Sequence, residues 1–216
     1  MSTSSTVNKK GRLIVLEGID GAGKTTQAAL LQAYLEAKGR KVYRTAEPTP
    51  LPSGVALREA LGGKVKKTEC QMAVMFVEDR IVHNQHPTEG IEAILASGAD
   101  VLCDRYYYST LAYQGHSTDY EWVKSMNLSC PEIRKPDLCI FLDLAPEKSL
   151  ERISKNRLVK EIYEEKDRLE KFRKRYFDIF EMLKFTDNIA VLDTDRDIES
   201  ISDDIYNLVA NLEIKD

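Results

Sequence analysis

The sequence predicts an α/β fold in which a parallel β-sheet of about five strands carries helices on both faces. Three observations predict it. Short, continuously apolar runs recur along the chain, they alternate with longer stretches of helical periodicity, and the first run leads directly into a glycine-rich turn. A strand that is apolar at every position has both faces buried, as happens in a parallel sheet held between helix layers. With 216 residues, 43% hydrophobic and 31% charged, the chain is expected to form one compact domain.

Residues 1–11, rich in Ser, Thr and Lys, are expected to be a disordered extension, and Met1 to Lys10 lacks the apolar stretch of a secretory signal. The domain is then expected to span 12–216. Leu13-Ile14-Val15-Leu16 forms its first strand. Gly18-Ile19-Asp20-Gly21-Ala22-Gly23-Lys24-Thr25 follows, a GxxxxGK[ST] string between a strand and a helix, which makes the sheet P-loop NTPase-type. In this arrangement successive backbone N–H groups close around phosphate oxygens, and the glycines let the backbone approach them. Lys24 is expected to reach the β- and γ-phosphates of ATP, and the Thr25 hydroxyl to ligate a magnesium ion. Gly18, Ile19, Asp20, Gly21, Ala22, Gly23 and Thr26 complete the expected ATP site.

The first helix should run from Thr25 to Lys38 and stop at Gly39, which tolerates a left-handed cap. Val42-Tyr43 is the next strand. Pro48-Thr49-Pro50-Leu51-Pro52-Ser53-Gly54 reads as a loop, because proline removes the backbone donors that a helix needs. Thr68 and Gln71 have the spacing of a capping box, opening a helix through Met72, Phe76 and Ile81. Val101-Leu102-Cys103 and Leu138-Cys139-Ile140-Phe141-Leu142 are strands, and Pro146 suits a first helical position. Arg152 to Lys160 carries Arg152, Lys155, Arg157 and Lys160 with no acidic residue. Leu169, Phe172, Tyr176, Ile179 and Leu183 form a core stripe on a long helix; Ile189 to Leu192 is the last strand; Ile198, Ile201, Ile205, Leu208 and Leu212 repeat the stripe on a final helix.

Composition narrows the function. A net charge of -4 gives no global basic field, so a nucleic-acid partner held through many phosphates is not expected. No stretch reaches the roughly 20 apolar residues of a membrane span. Cys70, Cys103, Cys130 and Cys139 form no CxxC pair, so reduced thiols and a cytoplasmic location are expected. A regulatory GTPase needs an Asn-Lys-x-Asp guanine reader and an Asp-x-x-Gly after a later strand, and neither is present. Motor and AAA-type ATPases usually need more chain and a strand ending in paired acids. Small-molecule kinases remain.

Leu102-Cys103-Asp104-Arg105-Tyr106-Tyr107-Tyr108-Ser109-Thr110-Leu111-Ala112-Tyr113-Gln114 resembles the signature of the thymidylate kinases. Glu17 to Gln27 is similar to that family's P-loop, Glu47-Pro48 to its second motif, and Phe76-x-x-x-Arg80 to its base-binding helix. The resemblance covers Arg12 to at least Tyr176 and implies phosphorylation of dTMP to dTDP by ATP in dTTP synthesis. A broader deoxynucleoside or nucleoside monophosphate kinase and an inactive nucleotide-binding protein are the alternatives.

The resemblance also implies roles. Phe76 and Arg80, one turn apart on one helical face, would stack on the pyrimidine and donate to its O4. Arg58 and Arg105 would fork onto the dTMP phosphate. Tyr113 would lie beneath the deoxyribose, Asp20 near its 3′-hydroxyl, and Thr110, Gln114, Glu47 and Tyr163 elsewhere around the acceptor. Asp104 would hold magnesium through water. The acceptor phosphate, with a second pKa of about 6, is largely dianionic near neutrality and needs no general base. His83, His86 and His116 are accordingly expected to be surface or loop residues.

One branch of the family carries a basic residue inside the P-loop, and the other draws its arginines from a lid. Gly21 stands at that position here, so the resemblance implies a basic lid at about 152–162, with Arg157 the first choice for the transferring phosphoryl and Arg152 the second. The sequence departs from the family's pattern at Thr49-Pro50-Leu51-Pro52, where glycines are usual, and at Glu161-Ile162. A homodimer packed through helices is also implied.

Overall fold

A computed structural model describes residues 10–153 and 159–212, and the side chains of 159–165 lie outside that description. The described elements run β1 (Leu13–Glu17), α1 (Lys24–Ala37), β2 (Val42–Ala46), α2 (Pro52–Leu61), α3 (Glu69–Gln85), α4 (Ile91–Ala96), β3 (Asp100–Asp104), α5 (Tyr107–Ser117), α6 (Tyr120–Leu128), β4 (Leu138–Asp143), α7 (Pro146–Ile153), α8 (Val159–Leu183), β5 (Ile189–Asp193) and α9 (Ile198–Ala210). The five strands form one parallel sheet in the order β2-β3-β1-β4-β5, the P-loop NTPase-type arrangement that the sequence predicts.

The central strand explains why its sequence is apolar throughout. Leu13 and Val15 pack into a cluster with α3, α5 and α8, while Ile14 and Leu16 pack into a second cluster with α1 and α9. Alternate side chains of one strand thus feed two cores. The edge strands β2 and β5 are less covered: none of their residues is fully buried, and Tyr43 and Val191 are exposed.

Local signals set most helix ends. Thr68 accepts from the Gln71 N–H while the Gln71 side chain accepts from Thr68 N, the full capping box. Asp119 and Asp197 cap α6 and α9 through the N–H groups of Trp122 and Ser200. At the end of α1, Gly39 takes φ +77 and Arg40 N returns to the Leu35 carbonyl at 3.0 Å.

Three expectations are corrected. Pro48 to Gly54 is not loop throughout: α2 starts at Pro52, whose missing N–H is no loss in a first turn. Ile198 of the final stripe is exposed at the start of α9, and Val209 is buried in the core instead. His83 is neither a surface nor a loop residue; it lies on α3 and is 2% exposed.

Candidate active site

The carboxyl ends of β1, β2 and β3 open on one cleft of about 470 Å³, lined by Asp20, Gly21, Gly23, Lys24, Thr25, Thr26, Ala46, Glu47, Asp104 and Arg105. A crevice at this edge of a parallel sheet is where ligands of such folds bind. Gly18, Gly21 and Gly23 take φ of +147, +76 and +99, so the loop uses conformations that side chains rarely adopt. At Gly18 the ban is also spatial, since a Cβ would stand 2.7 Å from the Leu142 carbonyl oxygen. Lys24 opens α1 and donates to the carbonyls of Gly18 and Ile19 at 3.0 and 3.1 Å. Burial, and then the nearby charge of Arg105, bring its amine down to about 8.

Across the loop, β3 pairs with β1 so that Leu16 and Asp104 are register partners. Thr25 Oγ1 donates to Asp104 Oδ2 at 3.3 Å, and Asp104 Oδ1 is buried with no hydrogen-bond partner among the described residues. A buried carboxylate oxygen without a protein donor is costly. Beside a threonine hydroxyl and a phosphate cradle, it has the character of a magnesium site, because that ion takes one or two carboxylate or hydroxyl oxygens and completes its shell with water and phosphate.

Next in sequence, Arg105 turns the chain at φ +69. Its Nη2 donates to Asp20 Oδ1 at 2.5 Å and its Nη1 to Ser109 Oγ at 3.1 Å. The guanidinium also lies 5.6 Å from the Tyr113 ring, which packs against Phe172 with 4.1 Å between centroids. The corner that carries it is fixed from below by Glu17. That carboxylate, wholly buried, accepts from the N–H groups of Tyr106 and Ser109 and from the hydroxyls of Ser109 and Tyr176. Burial pushes its carboxyl above the usual range, against the pull of Arg105 and these donors.

On the acceptor side, Phe76 is half-buried on α3, and Arg80, one turn on, is 1% exposed. Arg80 donates from Nε and Nη2 to Glu47 Oε2 at 2.9 and 2.5 Å, from Nη2 to Thr110 Oγ1 at 3.1 Å, and from Nη1 to Asn127 Oδ1. Three predicted residues, Glu47, Arg80 and Thr110, are thus joined directly. Tyr113 and Gln114 are half-buried further along α5. Arg58 is exposed on α2, and its Nη1 donates to the carbonyls of Pro48 and Thr49 at 2.6 and 2.7 Å. The proline loop itself is held by Asp79, which accepts from Thr49 N, Thr49 Oγ1 and Ser53 Oγ.

Toward the lid, Ser149 of α7 donates to the Asp20 carbonyl at 2.5 Å. A Cβ on Gly21 would come within 3.1 Å of both Ile153 Cγ2 and the Ser149 carbonyl oxygen. Arg152, exposed, donates to the carbonyls of Gly21 and Thr194 at 3.3 and 3.0 Å. Arg157 and the side chain of Tyr163 lie outside the described residues. Among the described residues, no cluster of three or more His, Cys, Asp or Glu side chains suits a metal ion, and no helix is long and apolar enough to cross a membrane.

Sequence reasoning missed Glu17, Asp79 and His83 as parts of the site. Only His83 had a readable signal, its place three residues after Arg80 and ten after Ala73, on the buried face of α3.

Comparison with known proteins adds the relatives. The family model described as thymidylate kinase matches residues 16–205. A "Probable thymidylate kinase" of Pyrococcus horikoshii is 37% identical over 208 residues, covering 93% of this chain and 96% of its own. Another of that name, from Methanococcus aeolicus, is 41% identical over 78% of this chain and 79% of its own. A "Thymidylate kinase" of Desulfotalea psychrophila is 38% identical over 69% and 72%.

Proposed function

Because the chain belongs to the thymidylate kinase family, we propose that it transfers the γ-phosphoryl group of ATP to the phosphate of dTMP, giving ADP and dTDP. One observation carries this reading. The P-loop, with Lys24 and Thr25, and the Asp104–Arg105 corner line a single cleft, and the Phe76/Arg80 helix is tied to that cleft through Glu47. A donor cradle and an acceptor pocket are thereby set side by side, and catalysis rests on positioning and charge cancellation.

In this reading residues 12–216 act as one domain, and the P-loop from Gly18 to Thr26 holds the triphosphate with the Lys24 ammonium at its β- and γ-phosphates. Thr25 and Asp104 would hold a magnesium ion, which when bound supplies positive charge to the phosphoryl oxygens. Arg105 and Arg58 bind the dTMP phosphate, Phe76 stacks on the base, Arg80 donates to its O4, and Tyr113 lies under the sugar. Arg58 would exchange its two loop carbonyls for phosphate oxygens. The last basic charge is assigned to the lid at about 152–162. Arg152 is engaged with Gly21 and Thr194, which supports Arg157 as the group that meets the transferring phosphoryl. The four free cysteines fit a cytoplasmic protein. Exposed Val55, Leu61, Val65 and Val74 around α2 and α3 support a homodimer packed through helices, which sedimentation can check.

The test is ADP release coupled to a spectroscopic readout over a panel of nucleoside monophosphates. Turnover should be fastest with dTMP. Equal or faster turnover of UMP or CMP overturns the assignment.

A further inference from the structure

His83 does not line the cleft, yet both of its ring nitrogens are engaged. Nδ1 is 3.0 Å from Glu47 Oε1 and Nε2 is 2.8 Å from Thr45 Oγ1. Thr45 belongs to β2, Glu47 to the loop that follows it, and His83 to α3. The opposite oxygen of the same carboxylate, Glu47 Oε2, accepts two N–H groups of Arg80. One carboxylate thus bridges an imidazole and a guanidinium, and all three groups are buried. An ionised carboxylate only accepts, so the Glu47 contact places an N–H on Nδ1; in the neutral ring, Nε2 then accepts the Thr45 hydroxyl.

The donors of Arg80 can be counted. A guanidinium has five N–H groups. Nε uses its one on Glu47, Nη2 uses two on Glu47 and Thr110, and Nη1 uses one on Asn127. One N–H on Nη1 is left over among the described residues. A single donor on a group locked at every other corner can recognise a carbonyl oxygen, and it rejects an amino group, which presents a donor to a donor.

We propose that His83 is a positioning residue for the acceptor base. By holding Glu47 Oε1 it fixes the carboxylate that aims Arg80, and so it sets the preference for a pyrimidine bearing a carbonyl rather than an amino group at the point Arg80 contacts. This rests on the reading of the chain as a dTMP kinase whose Arg80 meets the base.

Two variants of the full chain separate this role from packing. In His83→Asn the side-chain amide can place a donor near the former Nδ1, facing Glu47. In His83→Gln the amide reaches the Nε2 position, facing Thr45, and the Glu47 bond is lost. His83→Gln is expected to raise KM for dTMP about tenfold and to narrow the dTMP-over-dCMP ratio of kcat/KM by a similar factor, the scale of one lost charge-assisted hydrogen bond. Its KM for ATP and its kcat should stay at wild-type values, and His83→Asn should restore KM for dTMP. Equal behaviour of the two variants, or a parallel rise in KM for ATP, overturns the proposal. Should neither variant fold, Thr45→Val removes the hydroxyl whose donation to Nε2 holds the ring in the tautomer that donates from Nδ1 to Glu47, with the imidazole still in place. A raised KM for dTMP alone then supports the proposal, and an unchanged one overturns it. A wild-type chain that does not prefer dTMP to dCMP refutes the parent reading, whereas a wild type with that preference and indistinguishable variants refutes only the role of His83.

Discussion

Arg105 Nη2 stands 2.5 Å from Asp20 Oδ1, so the corner after β3 is clasped to the P-loop by an ion pair at the mouth of the cleft. The arginine makes this contact from a backbone at φ +69, where only glycine is at ease.

Arg105→Ala and Arg105→Gly therefore both remove the guanidinium but differ in backbone strain. Both should lower kcat/KM for dTMP by two orders of magnitude or about that. Arg105→Gly should be more stable than Arg105→Ala by about 1 kcal/mol, because it relieves the left-handed conformation. Urea denaturation of the two proteins side by side measures the difference; equal stabilities would show that the corner relaxes.

Lys24 makes ATP binding sensitive to alkaline pH. Its amine is brought down to about 8 from 10.5 by burial and by Arg105. Phosphate oxygens favour the ammonium, so binding near pH 8.5 should take up protons, and affinity should fall as pH rises through about 8. Calorimetry in buffers of different ionisation enthalpy reads the uptake, which Lys24→Met should abolish. The stability linkage has its own sign. The folded amine binds protons more weakly than the unfolded one, so the ligand-free protein should gain stability from about 8 toward 10.5.

Asp104 should matter for turnover and not for folding. Chelation of magnesium is expected to abolish activity with Tm unchanged, and Asp104→Asn to lower kcat by about a hundredfold. Since Oδ1 has no protein donor, the amide should leave Tm level or raise it. A Tm several degrees lower would instead mark a structural carboxylate.

Asp79→Ala should act on the acceptor side alone. It removes three bonds to Thr49 and Ser53 and takes away the acceptor of both the N–H and the hydroxyl of the buried Thr49. A loss of about 3 kcal/mol in urea denaturation is expected. KM for dTMP should rise through the loosened proline loop, while KM for ATP holds.

How far the sequence could be read depended on the range over which each residue acts. The phosphate cradle is a local object, so Gly18 to Thr25 announces it in eight consecutive letters. The central strands are nearly as plain, because burial on both faces confines their polar residues, Glu17 and Asp143, to the strand ends. Composition misled at Pro52, where a loop-forming residue is equally a helix opener. Glu17 and Asp79 were illegible for another reason, and His83 was legible as buried but not in its partners. Each satisfies partners more than 25 residues away, and nothing in the neighbouring letters records that Glu17 meets Tyr176 or that His83 meets Glu47. A buried polar residue is specified by the donors and acceptors of the assembled fold.

Gly21 has a consequence that reaches past its own loop. The place its side chain would take is held by Ser149 and Ile153 of α7. A side chain at position 21 would have to accept φ +76 and press α7 outward by a few tenths of an ångström, so a charged loop and an α7 seated this closely compete. The P-loop and α7 should therefore be transplanted between homologues as one cassette.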